Sequence, residues 1–508
     1  MNQTAMAGSG TRTCLFLLAT WSVSAFLMFF RIGSGEHDTF QMVSGIRYGV
    51  LHDQIYNLAN YGDSLQFAFY AALHPISAWW ELPAQKILLL LNTQGTLLSL
   101  LILFLLLQVF RKIFPTEGVA WIPVLVVTTP AYLFTLPYGH PFHYAATVCL
   151  AALLLLFTAL EEGSLSSRSL WLWSAATLLQ GVALSLRAEQ VGLLLLCFSG
   201  YLLYSSTFSW KRYGAVALHV AASGAIFLLL RFLLLPAAGP AADLGAGSYL
   251  GLLSYSRLRL HLLPWSAAHH LIEIGLPILC LAAFFLFRAA WRREGRMLLG
   301  FALSVLPSFF IYLFNPSPPR HFIITIISLA VFVSVCWPRP RPWQPIGLGA
   351  AILVLNLLVP PGLAMAPGGV NAAGERRNFT YNVFERQTRN RLQAQAALPF
   401  FMEVKEKAAA TTIVAGSWIH LAQMAMILSD DPSLTIRLDE RINGKKVLCY
   451  KCSGKTFYLI EAYNMGEVAQ LLNSGERKKS AVLTLIDPAQ DINDLDIEVP
   501  RQLYWWNA

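Results

Sequence analysis

The sequence predicts an α-helical polytopic membrane protein of about eleven transmembrane helices, with a small α/β domain at its C-terminal end. Three observations carry this. Hydrophobic residues make up 56% of the 508-residue chain and charged residues only 13%, against about 25% charged in a typical soluble domain. The mean hydropathy is +0.53. The charge is also uneven: residues 1–374 hold 20 Lys/Arg and 12 Asp/Glu, whereas residues 375–508 hold 17 and 16. This composition excludes a soluble globular enzyme and a disordered chain, which needs low hydrophobicity and high charge. The net charge of +9 is too dilute for nucleic-acid binding.

A span needs about 20 apolar residues to cross roughly 30 Å of hydrocarbon. The apolar runs are Cys14–Phe30, Ala84–Phe110, Val119–Leu136, Phe142–Leu160, Leu170–Leu186, Gln190–Tyr204, Tyr213–Leu235, Ser266–Phe287, Met297–Phe314, His321–Trp337 and Pro345–Ala364. The composition shift near Gly374 divides a transmembrane domain, residues 1–374, from a tail, residues 375–508. With the N-terminus placed in the cytoplasm, the inner segments carry 12 basic and four acidic residues. That excess supports this orientation by the positive-inside rule. It puts the tail outside, on a multi-pass protein of the cell (inner) plasma membrane, with a periplasmic or extracellular C-terminal domain. The first run reads as a retained span rather than a cleaved signal.

The outer loops hold the polar chemistry. Ten of the eleven His residues fall on outer loops, at outer span ends or in the tail. The long loop 31–83 opens with Glu36-His37-Asp38. In an extended segment two carboxylates two residues apart point the same way. They could share a divalent metal, or one could act as base while the other orients it; a solvated acidic turn is the plainer reading. No other cofactor is indicated. Tyr61 and Asp63 stand farther along, between two amphipathic stretches, Gly45–Leu51 and Leu65–Trp80, suited to the interface plane.

Arg187 ends one span and Arg320 opens a later one, with His321 beside it; Arg257 and Arg259 share another outer loop. Arginine suits phosphate because its planar fork makes paired, charge-assisted bonds. Pairing with Glu189 and snorkelling to headgroups are the plainer roles of Arg187 and Arg320. His140 and His143, at i and i+3, are candidate substrate contacts or simple interface histidines.

In the tail, Glu375–Arg391 reads as a basic helical stretch. Thr411–Ala415, Val447–Tyr450, Phe457–Glu461 and Val482–Asp487 read as strands, and Trp418–Leu428 and Met465–Asn473 as helices. Alternation of this kind suggests an α/β unit. Ser453-Gly454-Lys455 reads as a hairpin turn. Cys449 and Cys452 form a C-x-x-C, for which a local disulfide is favoured over a metal site in an oxidising compartment.

Taken together, the order of these features resembles the GT-C class of integral membrane glycosyltransferases. The carrying residues are Glu36-His37-Asp38 after the first span, the Gly181–Arg187 span end, and Pro318-Pro319-Arg320-His321 before a late span. The likeness is to bacterial relatives of the protein mannosyltransferase and aminoarabinose transferase group. It implies transfer of a sugar from a polyprenyl-phosphate donor to a hydroxyl on a glycan, lipid or protein acceptor, at the outer face. Asp38 or Glu36 would then serve as base and Arg320 with Arg187 as the phosphate partners. Membrane lipid is a further partner and nucleic acid is not. The rival readings are a lipid-linked polysaccharide polymerase or ligase, and a polyprenyl-lipid transporter or flippase; few charges lie at midplane depth for the latter.

Overall fold

The computed structural model describes residues 17–22, 25, 37–52, 82–114, 117–161, 166–204, 209–234, 273–313, 322–337, 341 and 343–358. Toward the C-terminus it describes 364–365, 379–380, 398–399, 401–408, 410–416, 418–437, 441–442, 445–446, 448–461, 481–484 and 504–506. The architecture is a helical bundle followed by a small α/β unit, the fold class read from the sequence.

The helices are α1 His37–His52, α2 Ala84–Ile113, α3 Ile122–Val127, α4 Pro130–Thr135, α5 Pro141–Glu161, α6 Ser167–Leu186, α7 Ala188–Tyr204 and α8 Trp210–Leu234. They continue with α9 Leu276–Trp291, α10 Gly295–Ser304, α11 Leu306–Leu313, α12 Phe322–Cys336 and α13 Trp343–Leu358. Among the described residues, α2, α5, α6 and most of α8 are long and apolar enough to cross a membrane. α2 runs for 30 residues without proline and ends on Arg111 and Lys112, whose charges complement the helix dipole. It stops at an extended Phe114, the conformation expected before Pro115. α6 starts on Ser166, whose side chain accepts from the Ser169 amide at 3.1 Å.

The segment expected as one span, Val119–Leu136, is broken. A 3-10 turn, Glu117–Trp121, leads into α3, and α4 begins only at Pro130. Pro130 has no N–H to donate, and it holds Thr129 extended. The Thr128 and Thr129 hydroxyls donate to the carbonyls of Leu125 and Val126 at 2.9 and 2.7 Å, serving groups the break would strand. Every described side chain from Trp121 to His140 is buried. Irregular backbone at membrane depth is tolerable only inside protein in this way. Likewise the Met297–Phe314 run is split into α10 and α11, with Pro307 at the second position of α11.

Polar pairs tie the helices across their apolar faces. Thr177 Oγ1 meets His219 Nδ1 at 3.1 Å, Tyr201 OH meets Ser328 Oγ at 2.7 Å, and Tyr204 OH meets Ser304 Oγ at 2.7 Å. Such bonds contribute roughly 0.6–2 kcal/mol each in lipid. One end of the bundle is basic: Lys112 pairs with Glu161 at 2.5 Å, and the Arg212 guanidinium sits 5.5 Å above the Phe157 ring. The opposite end, where α2 and α5 begin and α6 ends, is the head of the bundle.

The first turns of α1 pack into protein; the side chains of 48–51, in the stretch Gly45–Leu51 expected in the interface plane, lie outside the described residues. Phe40, Met42, Val43 and Ile46 are buried in a core they share with Ala84, Leu88 and Leu91 of α2 and with C-terminal residues that include Phe401, Met424 and Phe457. Ser44 Oγ donates to the Ala425 carbonyl at 3.4 Å.

The C-terminal strands are β1 Ala364–Met365, β2 Phe379–Thr380, β3 Thr411–Gly416, β4 Thr435–Arg437, β5 Arg441–Ile442, β6 Lys445–Lys446, β7 Leu448–Cys452, β8 Lys455–Glu461, β9 Ala481–Thr484 and β10 Tyr504–Trp506. Helix α14 Trp418–Leu428 lies among them, and residues 398–399 and 401–407 are helical as well. Six strands form a mixed sheet in the order β10-β9-β3-β8-β7-β4. β3 is central and parallel to both β8 and β9, with Ile413 opposite Tyr458 and Val482. β7 and β8 form the expected hairpin. Ser453 and Gly454 have φ of 49° and 76°, the left-handed pair that a two-residue turn between twisted strands requires. β2 pairs with β1, so Phe379 and Thr380 are strand, not part of the expected basic helix. The expected helix Met465–Asn473 lies outside the described residues.

The disulfide expectation is corrected. Cys449 and Cys452 are buried and form no disulfide with each other. They stand three apart on β7, so they face opposite sides of the sheet, about 10 Å apart along the strand. A disulfide needs Cα atoms within about 7 Å. Burial pushes the Cys452 thiol up to about 11, which keeps it protonated.

At the head, α2 crosses under the chain at Gly95. A Cβ there would land on the Tyr138 carbonyl oxygen and 2.7 Å from the Gly139 Cα. Gly95→Ala is expected to destabilise the bundle by about 1–3 kcal/mol, read as a lowered thermal midpoint in detergent. An unchanged midpoint would show that the crossing is loose.

Candidate functional site

The head of the bundle gathers the polar groups that the helices place there. The turn between α4 and α5 is braced from α2: the Gly139 amide donates to Asn92 Oδ1 at 3.0 Å. Two buried histidines complete the turn. The Phe142 amide donates to His140 Nδ1 at 3.0 Å, so the His140 proton is assigned to Nε2. His143 Nδ1 lies 2.9 Å from the Tyr138 carbonyl, so there Nδ1 carries the proton. His143 Nε2 is then a lone pair, buried and without a hydrogen-bond partner. Thr39 Oγ1 on α1 and Gln190 Oε1 on α7 are buried acceptors in the same condition. Buried polar atoms are nearly always paired; Gln180 Oε1 and His219 Nε2, deeper in the bundle, are in the same condition.

Arg187 occupies the one-residue break between α6 and α7. Its amide donates to the Ala183 carbonyl at 3.1 Å, and its carbonyl accepts from the Val191 amide at 3.0 Å. The residue is only 9% exposed, so its guanidinium is held inside the head; the side chain of Glu189, its alternative partner, lies outside the described residues. This cation is the sequence-derived candidate that the structure places most clearly.

The acidic motif is placed by backbone alone. Asp38 and His37 form the first turn of α1, so the segment is helical there, not extended. The carboxylate pair with Glu36 rests on a residue outside the described ones. Glu36 lies outside the described residues, as do Tyr61, Asp63, Arg257, Arg259, Arg320 and His321. Among the described residues no three His, Cys, Asp or Glu side chains gather as a metal site.

A search of solved structures found the archaeal oligosaccharyltransferase AglB from Archaeoglobus fulgidus, in complex with an inhibitory peptide and a dolichol-phosphate. It is 11% identical with a TM-score of 0.48, over 82% of this chain and 64% of that one. It also found ArnT from Cupriavidus metallidurans bound to undecaprenyl phosphate, 13% identical with a TM-score of 0.45, over 82% of this chain and 76% of that one. This chain thus spans a little under two thirds of the length of AglB. No family model matches the chain, and no curated protein matches it.

Sequence reasoning missed a node at the start of α2. Asp430, just after α14, accepts from the Ala84 amide at 2.9 Å and from Arg47 Nε of α1 at 2.8 Å. Beside it a cavity of about 430 Å³ opens, lined by Ala84, Met402, Lys405, Met426, Asp431 and Phe457 among others. The nearest local signal was the Ser-Asp-Asp-Pro turn after α14, which reads as a loop.

Asp431 is the electrostatic anchor of that cavity. Its carboxylate accepts from the Ser433 amide and hydroxyl at 2.9 and 2.6 Å and from the Ser453 hydroxyl at 2.6 Å. Burial alone would raise its pKa. The hydrogen bonds from Ser433 and Ser453, with the Lys405 ammonium 3.9 Å away, outweigh burial and hold it below the usual carboxylate value. A carboxyl depressed by folding lends stability above its unfolded pKa of about 3.9, and that stability is lost as pH falls through the lower folded value. Hydrogen exchange of β7 and β8 is therefore expected to speed up below about pH 4, with a flatter acid response in Asp431→Asn. Equal acid responses in the two proteins would remove Asp431 from this role.

Proposed function

We propose that this chain is a membrane glycosyltransferase that moves a sugar from a polyprenyl-phosphate donor to a hydroxyl acceptor at the outer face of the plasma membrane. The observation that carries the reading is the buried Arg187 at the head of the bundle, the end to which α1, opening on His37-Asp38, is bound through α2. A polyprenyl-phosphate sugar needs a cation for its leaving phosphate and a base for the acceptor, both at the membrane boundary.

The chemistry follows from these groups. The acceptor hydroxyl attacks the anomeric carbon as its proton passes to Asp38, or to Glu36. The bond from that carbon to the phosphate oxygen breaks, and the phosphate leaves with its electron pair. Arg187, with Arg320, stabilises the charge that grows there, as preorganised cations do at other phosphate centres. One in-line displacement inverts the anomeric configuration. Thr39, Gln190 and the His143 lone pair supply acceptors for sugar hydroxyls. The cavity beside Asp431, lined by apolar side chains together with two lysines and three carboxylates, suits an amphiphilic acceptor arriving from the membrane surface.

The test is transfer from a radiolabelled polyprenyl-phosphate monosaccharide by purified protein. Asp38→Asn is expected to slow transfer by about 10²–10⁴-fold. Arg187→Ala is expected to cost about 10²-fold or more in rate, the scale for losing one preorganised partner of developing charge. Normal transfer by both Asp38→Asn and Glu36→Gln would overturn the catalytic assignment. Block transfer of a polymer instead of a monosaccharide would point to a polymerase or ligase.

A further inference from the structure

We infer that Asp430 is a positioning residue for the acidic segment at the start of α1, so that the C-terminal unit sets the geometry of the reaction. The inference rests on the transfer reading above. Asp430 belongs to the C-terminal unit, yet the described partners of its carboxylate lie in α1 and at the start of α2. Oδ1 accepts from Arg47 Nε at 2.8 Å and from the Ala84 amide at 2.9 Å, and Oδ2 reaches the same amide at 3.2 Å.

The Ala84 bond fills a gap in the sequence. Pro83 stands at the N-cap of α2 and offers no side-chain cap. An uncapped helix start leaves its first amides without acceptors. Asp430, 346 residues later, supplies the missing carboxylate, and the helix dipole favours its negative charge there. The same group then anchors α1, because the Arg47 side chain is only 12% exposed and its Nε is aimed at Oδ1.

The grip falls on one stripe of α1. Phe40, Val43, Ser44 and Arg47 follow the i, i+3, i+4, i+7 spacing of a single helix face. Ser44 bonds to Ala425 and Arg47 to Asp430 on this stripe. Position 38 is nine residues from Arg47, about two and a half turns, so it falls on the opposite face, roughly 13 Å along the axis. At that leverage a tilt of about 5° about Arg47 displaces position 38 by roughly 1 Å. Misplacement of a reacting group by that amount can cost about 10²-fold in rate.

The experiment combines exchange and kinetics on the full-length protein. In Asp430→Ala, hydrogen exchange is expected to rise in residues 37–52 and 84–87 while β3 and β8 keep their protection. kcat should fall by about 10–100-fold with the KM for the polyprenyl-phosphate donor within about twofold. Asp430→Asn, which keeps an acceptor for the Ala84 amide but drops the charge facing Arg47, should fall between. If the alanine variant also loses protection in β3 and β8, the asparagine variant decides by the same readouts. Unchanged exchange in residues 37–52, or a raised KM with unchanged kcat, overturns the inference. If the wild-type protein transfers nothing from the donor, the proposed activity fails instead, and the exchange data alone decide whether Asp430 holds α1.

Discussion

Three distant parts of the chain meet at the Asp430 carboxylate: α1 through Arg47, α2 through the Ala84 amide, and the C-terminal unit to which Asp430 belongs. Around it grows a core that takes side chains from all three. The polar bonds fix angle and register. The apolar burial supplies most of the stability, at about 25 cal/mol per Å² removed from water. Without this junction the sheet would be a separate body tethered to a bundle. With it, the sheet, the first helix and the head of α2 are one packed object.

The bundle solves a different problem. Apolar helices have little reason to associate in lipid, so close packing and interhelical hydrogen bonds must hold them. The head concentrates both. Gly95 lets the Tyr138–Gly139 backbone cross α2 at contact distance, and Asn92 binds the crossing amide. The broken segment between α2 and α5 is then buried all round, with its own threonines serving its stranded carbonyls. That burial frees α5 to run parallel to α2, which places the start of α5 and the end of α6 together at the head.

Local features were legible in the sequence and distant ones were not. α14 matches its expected bounds because an apolar helical run there sits between clear breakers. The β7–β8 hairpin was readable because Ser-Gly is a chemical requirement of its turn. The place of Arg187 at the end of α6 was readable because a cation closing an apolar span is costly. The helical start of α1 was missed, since His-Asp-Thr after two glycines reads as turn. The break at Thr129 could have been foreseen from Pro130, but hydropathy averages over a single residue. The disulfide expectation failed because C-x-x-C was taken without its strand, and a strand sends positions three apart to opposite faces. Asp430 left no local trace, because its partners lie hundreds of residues away.

The separation between Asp430 and Ala84 has a temporal meaning. The chain is made from its N-terminus, at about 5–20 residues per second. The start of α2 therefore exists for roughly 20–70 s before the carboxylate that caps it has been synthesised. During that interval Phe40, Val43 and Ile46 have no C-terminal core to enter. The newborn protein must keep an apolar helix sheltered at the membrane surface until its last quarter arrives, and only then does the head close.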